Sequence, residues 1–271
     1  MLHDFSYVAP RSREELLAFL DDNGTESAVF SGGTDLFVNI RADLATPRYV
    51  VDLKGIEEFH SLTYDAEGLN IGCCVTVNEV LSHPDIRNHF SILHTAGNEL
   101  ATYQLRNRAT VVGNVVTASP CGDMSSPLLV LGAEMVISSK SNSRRVPVAE
   151  FITGVKTTVL KPNEVVEGIH VPTTFQDAQG GYKKLKRIKG HDLGLVSVTM
   201  IRPQGKLRFA ISSAAPTPVL LPEFDSETSV AEIQKVAQKA ISPIDDVRCS
   251  KEYRDFMVGV YIERLVNEVS E

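Results

Sequence analysis

The sequence predicts an α+β fold, on three observations. Ser/Thr-x-x-Glu helix-start signals recur at Ser12/Glu15, Thr76/Glu79 and Ser229/Glu232, where hydroxyl and carboxylate satisfy exposed backbone donors. Short apolar runs bounded by Gly, Pro and Ser read as strands. The two kinds of element fall into two αβ blocks and an αβ tail, without internal repeat or low-complexity tract. The first helix follows Ser12, turns Leu16, Leu17, Phe19 and Leu20 to one face, and ends at Gly24. Residues 28–30 form a short buried strand that runs into Ser31-Gly32-Gly33-Thr34-Asp35, and 49–53 form another. The second block has a strand at 69–71 and a helix opened by Thr76 that Pro84 limits. Residues 86–101 are mostly helical and 110–120 weakly so. Ser126-Pro127 starts a helix over 128–131, and 134–138 and 165–171 are strands. Residues 172–181, with Pro172 and Gly180-Gly181, make the best linker. Beyond them, strands 195–200 and 207–212 pair around Pro203-Gln204-Gly205. Ser229 opens a helix that ends near Ala240. The last helix begins at Ser250, with Tyr253, Phe256, Met257, Val260, Tyr261 and Leu265 at 3–4 spacing.

The 271 residues suffice for about two domains with a buried core. A net charge of −7 disfavours a general nucleic-acid binder. No apolar run approaches the roughly 18 residues of a membrane span, and the first ten residues lack the basic-then-apolar pattern of a secretory leader. Cys73, Cys74, Cys121 and Cys249 make no disulfide framework, so a reducing cytoplasm is the expected compartment.

Two segments could carry chemistry. In Ser31-Gly32-Gly33-Thr34-Asp35 the glycines permit positive φ and let backbone N–H groups converge on an anion such as a diphosphate. The same residues also suit an ordinary tight turn. Thr110-Val111-Val112-Gly113-Asn114, followed by Thr117, Ser119 and Asp123, gathers small polar side chains around one glycine. It equally suits a hairpin or Asx turn. The basic run Lys183, Lys184, Lys186, Arg187 and Lys189 is either a solvated face or places an ammonium near a phosphate or an anionic ring. His83, His89 and His94 fit no helical metal pair, and Cys73-Cys74 reads as packing. The dinucleotide fingerprint G-x-G-x-x-G, the phosphate loop and the nucleophile elbow are all missing.

Taken together and in order, five segments resemble the FAD-binding subunit of the molybdenum hydroxylases, the xanthine dehydrogenase and carbon monoxide dehydrogenase family. They are Ser31-Gly32-Gly33-Thr34-Asp35-Leu36, the stretch from Gln104 to Asn114, Asn163-Glu164-Val165-Val166, Tyr182-Lys183-Lys184-Leu185, and Ala214-Ala215-Pro216-Thr217-Pro218. The resemblance covers essentially the whole chain. It implies a p-cresol methylhydroxylase-type FAD-binding domain at 1–174, with subdomains of about 1–60 and 61–174, and a smaller C-terminal αβ domain at 175–271. It further implies that Val29, Phe30, Ser31, Gly32, Gly33, Thr34, Asp35 and Leu36, with Thr110, Val111, Val112, Gly113 and Asn114, wrap the diphosphate and ribityl chain of non-covalent FAD. Leu100 and Val166 would stand near the flavin ring, Asp123 would bind the polar chain, and Lys184 would reach the cofactor at the domain interface.

The implied role is electron transfer. A molybdopterin large subunit would hydroxylate substrate, and [2Fe–2S] clusters on a small subunit would feed FAD here. The acceptor would be NAD or another electron acceptor, such as ferredoxin or a quinone. Fe–S ligation is not expected on this chain. Two residues depart from the family pattern. Val112 replaces the first glycine of Gly-Gly-Asn and needs a negative φ. Thr34 replaces the histidine of carbon monoxide dehydrogenases, which favours xanthine dehydrogenase-like hydroxylation of an N-heterocycle. The alternatives are a stand-alone flavin oxidase or dehydrogenase of the same fold, and a structural subunit without FAD.

Overall fold

The computed structural model describes residues 3–269. The first sheet is parallel. It is built from β1 (Ser6–Val8), α1 (Arg13–Asn23), β2 (Ser27–Phe30), α2 (Leu36–Arg41) and β3 (Tyr49–Asp52), with strand order β1-β3-β2. Ser12 caps α1 as its spacing predicts, accepting from the Glu15 N–H. The Glu15 carboxylate returns to the Arg11 N–H.

The second sheet is antiparallel and carries most of the short helices. Its elements are β4 (Leu62–Tyr64), β5 (Gly68–Gly72), α3 (Val77–Ser82), α4 (Pro84–His89), α5 (Ser91–Glu99), α6 (Tyr103–Arg106), α7 (Val111–Val116), α8 (Ser125–Val130), β6 (Glu134–Ser138), β7 (Ser143–Pro147), α9 (Val148–Phe151), β8 (Ile152–Gly154), β9 (Thr157–Thr158) and β10 (Val165–Pro172). The strand order is β4-β5-β10-β6-β7, and β8 pairs with β9 apart from it. Thr76 and Glu79 form the full capping box of α3.

The third sheet is an antiparallel meander under two helices. It runs β11 (Gln179–Leu185), β12 (Val196–Arg202), β13 (Lys206–Ser212), β14 (Val219–Leu220) and β15 (Phe224–Asp225), followed by α10 (Val230–Ala240) and α11 (Lys251–Glu268). One hydrophobic core joins the first two sheets and extends into the third through Tyr182, Ile201 and Ala210. A second lies beneath α10 and α11.

Four expectations change. The helix over 86–101 is broken at Phe90, whose ring is buried and whose backbone leaves the helical region (φ −131, ψ 47). The helix expected to start at Ser126 starts at Ser125. Ser126 lies fully buried inside it, its hydroxyl accepting from Thr199 rather than capping. Gly180 and Gly181 belong to β11, not to a linker. A Cβ on Gly180 would sit 2.4 Å from the Met200 carbonyl oxygen, so that glycine permits close strand approach. On α11, Tyr253 and Phe256 are exposed, and the buried face runs through Arg254, Met257, Val258, Tyr261, Ile262 and Leu265.

Candidate functional site

Strand β2 ends at the buried Phe30, and the chain turns through 31–35 into α2. The two glycines are required for different reasons. Gly33 has φ +70, the left-handed region. A Cβ on Gly32 would lie 2.1 Å from the Arg108 carbonyl oxygen, so this turn presses on the segment that leads into the second motif. Phe37 folds back edge-on to Phe30, with ring centroids 5.1 Å apart. The backbone N–H groups of Gly32, Gly33, Thr34 and Asp35 have no acceptor among the described residues. Unmatched donors in such a turn suit an anion.

The second motif is a helix start. Thr110 is the N-cap of α7 and accepts from the Gly113 N–H at 3.0 Å. Its Oγ1 also lies 3.1 Å from the Ser31 Oγ, across 79 residues of sequence. Gly113 fits because a Cβ there would crowd Thr110 Oγ1 at 2.8 Å. Val112 lies inside α7 with the negative φ it needs. Val111 is fully buried in the core. The Asn114 Oδ1 accepts from the Met124 N–H at 3.0 Å.

Between the two turns lies a cleft of about 180 Å³, open to solvent at its mouth. Val29, Phe30, Ser31, Gly32, Gly33, Thr34, Asp35 and Leu36 line it, with Thr110, Val112, Gly113, Asn114 and Val166. Sequence reasoning missed Leu53, Cys73 and Leu160 on its apolar wall, and Glu164, which it quoted only as part of a motif. The lining holds two carboxylates, Asp35 and Glu164, and no lysine or arginine. Burial raises the Glu164 pKa, but two bonds from Arg144 (2.9 and 3.3 Å) and one from the Lys161 N–H outweigh it and hold the carboxyl below its ordinary value.

Leu100, Asp123 and Lys184 gather elsewhere, at the junction with the third sheet, and do not line the cleft. The Lys184 ammonium is buried, 2.8 Å from Asp123 Oδ2 and 3.1 Å from the Glu99 carbonyl. The Tyr182 hydroxyl donates to Asp123 Oδ1 at 2.8 Å. Burial pushes the Asp123 carboxyl up, and Lys184 and Tyr182 only partly offset it. Leu100 follows Glu99 at the end of α5. Three more of the basic run are paired: Lys183 with Glu268, Lys186 with Glu99 and Arg187 with Asp192.

Residues 3–174 match the family described as the FAD binding domain in molybdopterin dehydrogenase. The chain belongs to that family. It is 27% identical to the carbon monoxide dehydrogenase medium chain of Hydrogenophaga pseudoflava, over 97% of this chain and 96% of that one. It is 28% identical to the glyceraldehyde dehydrogenase medium chain of Sulfolobus acidocaldarius, over 98% and 99%. It is 25% identical to the xanthine dehydrogenase FAD-binding subunit of Escherichia coli O157:H7, over 98% and 97%. The solved carbon monoxide dehydrogenase of H. pseudoflava superposes with a TM-score of 0.90 at 25% identity, covering 99% of this chain and 98% of that one. Quinoline 2-oxidoreductase from Pseudomonas putida 86 shares the fold, with a TM-score of 0.90 at 24% identity, covering 99% and 98%.

The chain is thus an FAD-binding subunit of the molybdenum hydroxylase family of oxidoreductases, with a mixed helix-and-sheet fold that matches the solved carbon monoxide dehydrogenase. The cleft fits that cofactor: its turn tolerates no Cβ at Gly32, its N–H donors lack acceptors among the described residues, and its two hydroxyls meet across it. No helix among the described residues is long and apolar enough to cross a membrane.

Proposed function

We propose that the turns at 31–35 and 110–114 hold the FAD diphosphate, and that the chain passes electrons from [2Fe–2S] clusters on a small partner subunit to NAD. The molybdopterin would sit on a large partner subunit. The Ser31–Thr110 contact at 3.1 Å carries this reading, because it closes both turns over one cleft. Bound FAD supplies the redox chemistry. The chain's residues supply position: Gly32 to Asp35 offer backbone donors, Val112 and Val166 offer apolar surface, and the Arg144–Glu164 pair steadies the far wall. Leu100, Asp123 and Lys184 would serve the cofactor from the domain junction. We place the division between the FAD-binding and C-terminal domains at 174/175, between the end of β10 and the start of β11.

For the complex's substrate we favour an N-heterocycle. Thr34 supports this, as do relatives named nicotinate dehydrogenase FAD-subunit and caffeine dehydrogenase subunit beta. The test is the absorbance spectrum of the purified chain and the acceptor used by its complex. Flavin absorbance with substrate-dependent NADH formation is the expected result. Dye reduction without NADH would remove NAD as acceptor, and a chain that binds no flavin would remove the whole reading.

A further inference from the structure

We infer that Lys54 is a positioning residue for the diphosphate turn: its ammonium holds the Ser31 carbonyl on the outer side of the turn, which aims the Gly32 N–H into the cleft. This rests on the FAD reading above and assigns a role to a residue outside the cleft lining.

The geometry starts at Asp52, which ends β3 beside Phe30 in the parallel register and is buried. Its Oδ2 accepts from the Tyr7 hydroxyl at 2.6 Å. Its Oδ1 accepts from the Lys54 backbone N–H at 2.9 Å and from the Lys54 Nζ at 2.6 Å. Both carboxylate oxygens are therefore committed to fixing where the ammonium sits. Burial raises the Asp52 pKa, but the bonds from Lys54 and Tyr7 outweigh it and hold the group below its ordinary value, so the anchor is ionised at neutral pH. From that anchor the Nζ lies 4.0 Å from the centroid of the Phe30 ring and 3.2 Å from the Ser31 carbonyl oxygen.

A trans peptide is planar, and its C=O and N–H point in opposite directions. Fixing the Ser31 carbonyl toward Lys54 therefore fixes the Gly32 N–H on the other side, where it has no acceptor among the described residues. The ammonium also polarises that peptide and strengthens the N–H as a donor. Because the lining holds two carboxylates and no cation, an anionic guest depends on such donors. Lys54 contributes positive character without entering the cleft.

The test titrates the flavin-free full chain with FAD and with ADP, for wild type, Lys54→Met and Lys54→Arg. We expect Lys54→Met to weaken both ligands about tenfold, the effect of one charge-assisted hydrogen bond. Equal loss for ADP places the defect at the diphosphate side. Lys54→Arg should stay within about threefold of wild type, since it keeps the charge and donors. A purely structural role is separated by NMR. Gly32 is the only glycine that follows a serine, so pairing carbonyl-labelled serine with nitrogen-labelled glycine isolates its amide. That amide should move downfield when FAD binds the wild-type chain, and less in Lys54→Met. Unchanged affinity in Lys54→Met, or a Gly32 amide that FAD does not move in wild type, overturns the inference while the FAD reading stands. Should Lys54→Met fail to fold, the wild-type Gly32 shift and the Lys54→Arg affinity decide. No binding of FAD or ADP by the wild-type chain would overturn the FAD reading and this inference with it.

Discussion

Ser31 and Thr110 share one contact but not one burden. Ser31 Oγ meets only Thr110 Oγ1 among the described side chains, whereas Thr110 also caps α7 through the Gly113 N–H. Thr110→Ala should therefore cost about 1 kcal/mol of stability and weaken FAD more than Ser31→Ala does. Chemical unfolding and FAD titration of both single variants and the double variant measure this, and the double should be less than additive. Gly32→Ala is sharper, because its Cβ would meet the Arg108 carbonyl at 2.1 Å, backbone against backbone. It should abolish tight FAD binding with the rest of the fold kept, as circular dichroism can show. Each turn alone was legible only as an ambiguous bend. What favours one shared site is their juxtaposition, which spacing along the chain does not encode. Lys54 carried no signal at all, since its role depends on Asp52 and Tyr7 meeting across the parallel sheet.

At the scale of elements, α11 shows where pattern reasoning fails. Arg254 lies outside the apolar pattern read from the sequence, yet it is buried, with its guanidinium on the Leu195 and Ser213 carbonyls and 2.9 Å from Asp246. Burying it rotates the helix and leaves Tyr253 and Phe256 outside. The elements read correctly, such as α1, α3 and α10, have local caps that need no tertiary partner. Asp246 gives a pH prediction. Burial raises its pKa, but hydrogen bonds from Arg248 and the charge of Arg254 outweigh this and hold it well below the ordinary 3.8. Between the two values the unfolded chain binds a proton that the folded chain does not. Its contribution is therefore complete above about pH 4 and lost as pH falls through the folded value. Urea unfolding between about pH 2 and 6 should show a shallower acid loss for Asp246→Asn than for wild type. Parallel curves would contradict it.

For the whole molecule, Lys184 ties the third sheet to the first two thirds of the chain, linking β11 to Asp123 and to the end of α5. Lys184→Met would leave Asp123 buried without its cation, and should destabilise the protein by about 3–5 kcal/mol. Adding Asp123→Asn should recover part of that loss, as thermal unfolding of the two variants can show. The sequence marked both residues through family resemblance, but not that they hold each other, because 61 residues separate them. The central claim is that two distant turns form one FAD diphosphate site. Absorbance-monitored titration of the flavin-free chain with FAD, for wild type and Gly32→Ala, tests it most directly. One FAD bound per wild-type chain, and none held tightly by a folded Gly32→Ala, is the predicted result. A wild-type chain that takes up no flavin, or a Gly32→Ala chain that binds as wild type does, would contradict it.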